Sequence, residues 1–68
     1  MITQIGIVAG EIWHFLDEHG KVDLERLVVG TEHPKDIVLM SLGWLAREGH
    51  VRVDCSQQGY EICLREKK

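Results

Sequence analysis

The first segment of the chain has the apolar spacing of an amphipathic helix. Ile5, Ala9, Ile12 and Leu16 recur every three or four residues, which places their side chains on one helical face. Neighbouring apolar residues widen this stripe, while the acidic residues fall outside it. A helix is therefore predicted over residues 2–18, and Gly20 suits a left-handed cap after it.

A second, shorter helix is predicted after a brief extended segment. Residues 21–23 have the composition of a minimal strand, and the Asp23 carboxylate can accept a hydrogen bond from the free N–H groups of a helical first turn. The apolar residues that follow predict a helix over 24–29, with Gly30 as its expected end.

A third helix is predicted after a turn at residues 31–33. Pro34 suits the first helical position, where its missing N–H costs nothing, and the helix is expected over 34–48. Its core line is formed by apolar residues at helical spacing, namely Val38, Leu42 and Leu45.

The remainder of the chain, residues 51–65, alternates between apolar and polar residues like a β-hairpin, with a turn at 56–59. One register places six apolar side chains on a single face, as a hairpin with one buried face requires. The pairs are Val51 with Leu64, Val53 with Ile62, and Cys55 with Tyr60. Asp54 then lies opposite Glu61 on the outer face, and Cys63 lies on the opposite face from Cys55.

Three helices followed by a hairpin predict an α+β fold that is mainly α, the winged helix-turn-helix. The second and third helices form the helix-turn-helix, and the hairpin forms the wing. We expect one domain over residues 1–65 and a loose C-terminal tail over 66–68.

Two motifs carry a resemblance to known proteins. The spacing of Val38, Ser41, Leu42, Leu45, Glu48, Gly49 and Val51 resembles the third helix and first wing strand of many winged-helix regulators. A second pattern resembles a family of very short prokaryotic winged helix-turn-helix proteins of unassigned function; it combines Ala9-Gly10-x-Ile12-Trp13-x-x-Leu16 with Leu42-Gly43-Trp44-Leu45-Ala46-Arg47-Glu48. The resemblance implies this fold and a presumed DNA-binding role, with no ligand or reaction.

Composition and charge narrow the functional classes. The 68 residues are 44% hydrophobic and 28% charged, which is typical of a small globular domain. The net charge of −3 counts against a dedicated nucleic-acid binder, which is usually basic. No apolar run is long enough to span a membrane, no secretory signal is visible, and two cysteines are few for a disulfide-stapled domain. We therefore expect a cytoplasmic protein with reduced cysteines and no membrane contact.

The fold suggests double-stranded DNA as a partner, with the third helix and the wing as the contact surface and a homodimer spanning two half-sites. The residues that could reach bases or phosphates are cations and amides. They are Lys35, Arg47, Arg52, Gln57, Gln58 and Arg65.

A protein–protein interaction module is the alternative interpretation. The outer arc of the third helix carries Leu39, Met40 and Trp44, and exposed apolar side chains of this kind are typical of interfaces. The competing structural interpretation is that Trp44 and Ile37 fold back against the first helix and extend the core.

Nothing in the sequence indicates catalysis, a metal site or a cofactor. The four histidines are scattered, no C-x-x-C or H-x₃-H spacing occurs, and no nucleophile motif or Gly-rich phosphate loop is present. A chain of this length leaves little room for a small-molecule pocket. Gly6 and Gly10 are one turn apart in the first helix, and we expect them to allow close approach of a neighbouring helix.

Overall fold

The computed structural model describes residues 2–65, so Met1 and the predicted tail at 66–68 lie outside the described part. It contains three helices and a three-stranded antiparallel sheet with strand order β1-β3-β2. This architecture confirms the predicted winged helix-turn-helix. In chain order the elements are α1 (Ile2–His19), β1 (Val22–Asp23), α2 (Leu24–Thr31), α3 (Lys35–Arg47), β2 (Val51–Ser56) and β3 (Gly59–Leu64).

The first helix ends as its sequence predicts. Gly20 adopts a φ of 75°, and its N–H donates to the Leu16 carbonyl at 2.8 Å, which closes the last turn. The helix includes His19, one residue beyond the predicted end. β1 then pairs with β3, with Val22 opposite Ile62, so the short extra strand is confirmed.

The second helix begins as predicted but ends later. The Asp23 carboxylate accepts from the Arg26 N–H at 2.7 Å, which is the expected N-cap. The predicted stop at Gly30 is wrong, because the helix continues to Thr31 and Glu32 provides the left-handed cap with a φ of 62°. Gly30 instead makes room for Phe15, whose ring a Cβ at that position would collide with.

The third helix is two residues shorter than predicted. Pro34 is its N-cap in extended conformation, so the first helical residue is Lys35. At the other end Glu48 is the C-cap, and Gly49 follows with a φ of 83°. The Glu48 N–H still donates to the Trp44 carbonyl at 3.0 Å, which explains the helical pattern of the sequence there.

The hairpin has the predicted register, with Val51 opposite Leu64, Val53 opposite Ile62 and Cys55 opposite Tyr60. The six side chains therefore lie on one face, as predicted, but the expectation that this face is buried is wrong for its outer half. Val51 and Ile62 are buried, whereas Val53 is 40% exposed and Tyr60 is 50% exposed. The helices therefore cover only the base of the hairpin, and the inner face of its outer half meets solvent.

The core lies between the three helices and the base of the sheet. Ser41 is fully buried on α3, and its hydroxyl has no hydrogen-bond partner within residues 2–65. None of the helices in the described part is both long enough and apolar enough to cross a membrane. The buried apolar residues are Val8, Ala9, Ile12, Leu16, Val22, Leu27, Ile37, Val38, Leu42, Leu45, Val51 and Ile62.

Candidate functional site

The exposed face of α3 is the surface that both interpretations of the sequence emphasise. Five residues of this helix are buried and fix its orientation: Ile37, Val38, Ser41, Leu42 and Leu45. The helical period places the side chains on the opposite face of α3 away from the core. We call them the outer surface of α3: Lys35, Asp36, Leu39, Met40, Gly43, Trp44 and Arg47.

Three large apolar side chains on this surface remain half-exposed. Leu39 is 45%, Met40 is 44% and Trp44 is 50% accessible to solvent. The structural interpretation of the sequence is thus right for Ile37, which is 8% exposed and belongs to the core, and wrong for Trp44. Half-exposed Trp and Met on one helix face are typical of a surface that a partner covers.

Trp44 lies beside the first helix without being covered by it. Together with Ile2, Ile5 and Gly6 it lines a groove of about 370 Å³ between α1 and α3. Ile2 at one end of this groove is 87% exposed. The groove is therefore apolar, open to solvent and formed by two helices.

Leu39 belongs to a different groove. It lines a space of about 410 Å³ between the helix-turn-helix and the wing, together with Leu24, Val53 and Tyr60. Leu39 and Trp44, which were predicted to form one patch with Met40, thus line two different grooves. The sequence predicts Val53 and Tyr60 on the buried face of the hairpin and does not predict their place in this exposed groove. The alternation of apolar and polar residues shows which side chains share a face, but not how much of that face the helices cover.

Two of the four cations predicted to contact DNA already face carboxylates. The Lys35 ammonium lies 3.5 Å from Glu25, and the Arg52 guanidinium lies 3.1 Å from Asp54. Asp54 is opposite Glu61 on the outer sheet face, as predicted. Exposed pairs of this kind contribute little to stability, but they lower the positive potential that would attract phosphate.

The remaining predicted DNA contacts are exposed but dispersed. Arg47 is on α3 and forms no ion pair with another residue in the described part of the chain. Gln57 and Gln58 form the turn of the wing, where the Ser56 hydroxyl accepts from the Gln58 N–H at 3.3 Å. Arg52 points to the face of the sheet away from the helices, because its neighbour Val51 is buried in the core.

Arg65 follows the last strand, and its N–H donates to the His50 carbonyl at 3.0 Å. Arg65 therefore lies at the base of the hairpin, at the opposite end of the strands from Gln57 and Gln58. The six residues that were predicted to contact DNA are therefore spread over the helix, the outer sheet face and both ends of the wing.

A polar contact between α1 and the turn before α3 was also not predicted. The His33 Nε2 and the Glu11 carboxylate lie 2.7 Å apart, joining the turn before α3 to the middle of α1. The two residues are 22 positions apart in sequence, so no local pattern shows the pair. Within residues 2–65 no three His, Cys, Asp or Glu side chains converge as metal ligands would.

Three of the four glycines within the helices face open space. A Cβ at Gly6, Gly10 or Gly43 would meet nothing within 4 Å. The expectation that Gly6 and Gly10 allow close approach of a helix within this chain is therefore wrong. Gly6 lies in the groove beside Trp44, and Gly43 lies on the outer surface of α3.

Comparison with known proteins agrees with this architecture. The model of the winged helix-turn-helix domain family (DUF2582) matches residues 1–65. The chain belongs to this family. It is 36% identical over 55 residues to an uncharacterised protein of Methanocaldococcus jannaschii, a match that covers 78% of this chain and 79% of that protein.

A solved structure shows the same fold. The solution NMR structure of a protein from Bacteroides thetaiotaomicron superposes with a TM-score of 0.81 at 27% sequence identity. The match covers 91% of this chain and 76% of that one. The predicted membership in a family of short winged helix-turn-helix proteins without assigned function is thus confirmed.

Proposed function

We propose that this domain is a non-catalytic protein-binding module that receives an amphipathic helix on α3 and the start of α1. The observation that carries the proposal is the half-exposed Trp44 over an apolar groove formed with Ile2 and Ile5. An indole in such a place gains burial when a partner covers it, and Trp is the residue type most enriched at the energetic centres of interfaces.

The shape of this surface suits a helix. Met40 and Trp44 are one turn apart, so they form a ridge along α3, and the groove beside Trp44 runs between two helices. Gly43 lies on the exposed side and carries no side chain that would hold a partner backbone away. We call Ile2, Ile5, Gly6, Met40, Gly43 and Trp44 the docking surface.

The charges at the two ends of α3 specify the partner further. Asp36 and Arg47 both lie on its outer surface, and neither forms an ion pair within residues 2–65. At 1.5 Å per residue they are about 16 Å apart along the helix, with the ridge between them. The complementary partner is a helix with apolar residues at i and i+4, a cation near Asp36 and a carboxylate near Arg47.

A synthetic peptide tests this proposal. The probe is a fluorescein-labelled 15-residue helix with one apolar face and with Glu and Lys at its opposite ends. Its control has the same composition, with the apolar residues distributed around the helix. Fluorescence anisotropy is measured for the wild-type domain, for Trp44→Ala, and for Ile7→Ala, a matched truncation of an exposed apolar residue on α1 outside the docking surface.

We expect saturable binding of the amphipathic peptide and at least tenfold weaker binding to Trp44→Ala, while Ile7→Ala binds like the wild type. Circular dichroism should show that Trp44→Ala remains folded, since half of that side chain is outside the core. Equal binding of the two peptides, or equal losses in the two variants, would reject the proposal. Unfolding of Trp44→Ala would also reject it, because the indole would then be part of the core.

Double-stranded DNA is the second candidate partner, and the family fold is the observation that favours it. In this proposal a transcriptional regulator contacts DNA through α3 and the wing, with Arg47 and the exposed amides Gln57 and Gln58 as the unpaired donors. Lys35 and Arg52 would first have to exchange their carboxylate partners for phosphates.

A mobility-shift experiment tests DNA binding directly. With mixed-sequence duplex at roughly 50 mM salt we expect weak retardation that disappears as salt is raised, because few phosphates are neutralised. Arg47→Glu should abolish the shift. Lys21→Glu is a charge reversal at the opposite edge of the sheet from β2, where Lys21 lies 3.4 Å from Glu61, and it should leave the shift in place. Absence of any shift at low salt would exclude this candidate.

A further inference from the structure

The outer edge of β2 is a strand edge with unpaired backbone groups. In the described part of the chain β2 pairs only with β3, and their register runs without a bulge from Val51 opposite Leu64 to Ser56 opposite Gly59. Natural edge strands are usually protected by proline, charged side chains (lysine above all), a bulge or a covering segment. The six residues of β2 contain neither proline nor lysine, and its two charged residues, Arg52 and Asp54, have opposite signs.

The hydrogen-bond pattern shows which backbone groups this edge offers. The His50 carbonyl accepts from the Arg65 N–H at 3.0 Å, so the even-numbered residues of β2 direct their backbone groups toward β3. The groups of the odd-numbered residues then point outward. Val51, Val53 and Cys55 therefore present their N–H and C=O groups on the free edge.

Side-chain charge and strand length together favour one register for pairing this edge with another copy of itself, because registers centred on either end of β2 would pair fewer of its six residues. An antiparallel pair centred on Arg52 would place the two arginines opposite each other, and one centred on Asp54 would oppose the two aspartates. A pair centred on Val53 places each Arg52 opposite Asp54 of the other copy. It also aligns the outward groups of Val51 with those of Cys55, so that both strands can hydrogen-bond along their length.

We infer that two copies of this chain associate through β2, antiparallel and centred on Val53, to form a continuous six-stranded sheet. Within each strand, Arg52 and Asp54 lie 3.1 Å apart on the outer face. In the dimer, the two arginines and two aspartates would form a group of four side chains in which each charge lies next to opposite charges. On the inner face the two copies of Val53, each 40% exposed in the monomer, lie side by side. This interface is distinct from the docking surface and from the proposed function, so either can fail alone.

Charge exchange tests this association. Sedimentation velocity is measured on the 7.8 kDa chain at increasing concentration, and on Arg52→Asp, Asp54→Arg and the double variant. Each single variant places like charges opposite each other at both positions, whereas the double variant restores opposite charges in reversed order. A one-to-one mixture of the two single variants also restores them, in a heterodimer.

We expect the wild type, the double variant and the mixture to reach twice the monomer mass at similar concentrations. The separate single variants should dimerise roughly tenfold more weakly, because two attractive cross-strand pairs become repulsive. A wild type that stays monomeric up to about 1 mM would overturn the inference. So would single variants that dimerise as well as the wild type, because the interface would then lie elsewhere on the chain.

Discussion

Ile12→Ala is expected to destabilise the domain by about 3 to 4 kcal/mol. Ile12 is fully buried between the helices and the sheet, so its removal loses apolar burial and leaves a cavity. A domain of this size has a free energy of unfolding of only about 3 to 10 kcal/mol. Urea denaturation followed by circular dichroism should therefore show a variant that has lost at least about a third of its free energy of unfolding.

Ile7→Ala is the matched control for this prediction. It removes the same atoms from the same helix, but Ile7 is 58% exposed and should cost less than about 0.5 kcal/mol. Similar losses in the two variants would contradict the prediction. They would mean that the side of α1 carrying Ile7 is covered as completely as the side carrying Ile12.

The sequence was sufficient for most of the fold because each element carries a local signal. The stripe through Ile12 predicts which face of α1 is buried, and alternation in the hairpin predicts its pairing residue by residue. The sequence predicts the wrong end for α2 because Gly30 has two possible roles. Its absent side chain can end a helix, or it can admit a ring from another helix, and only the position of Phe15 decides between them.

The exposure of the site residues was harder to predict from the sequence, because it depends on how far one helix or strand covers another. The helical period places Trp44 near the edge of the buried face of α3, where both burial and exposure fit the pattern. Its actual half-exposure follows from the groove with Ile2 and Ile5, which are about forty residues away in sequence. Likewise, the pairing of Lys35 with Glu25 depends on the angle between two helices, which no local pattern contains.

Replacing Gly6 and Gly43 by alanine is expected to stabilise the isolated domain by about 1 kcal/mol each. Both lie inside helices, where glycine is costly because it loses more conformational freedom than alanine. An added methyl group would meet nothing within 4 Å at either position. The thermal unfolding midpoint should therefore rise by about 4 to 8 °C for each substitution. Gly30→Ala should show no such gain, because its methyl group would collide with the Phe15 ring.

The same substitutions connect stability to the proposed interface. If a partner helix approaches closely at Gly6 and Gly43, their alanine variants should be more stable and yet bind the amphipathic peptide at least tenfold more weakly. Gly10→Ala is the control: it also faces open space on α1 but lies outside the docking surface, so it should gain stability and retain binding. Full binding by all three variants would show that these glycines do not contact the partner. Gly6 and Gly43 reduce the stability of the helices, and nothing in the monomer requires them. Close contact with another molecule would explain why the chain retains them. Measuring both stability and peptide binding for each variant separates that explanation from chance.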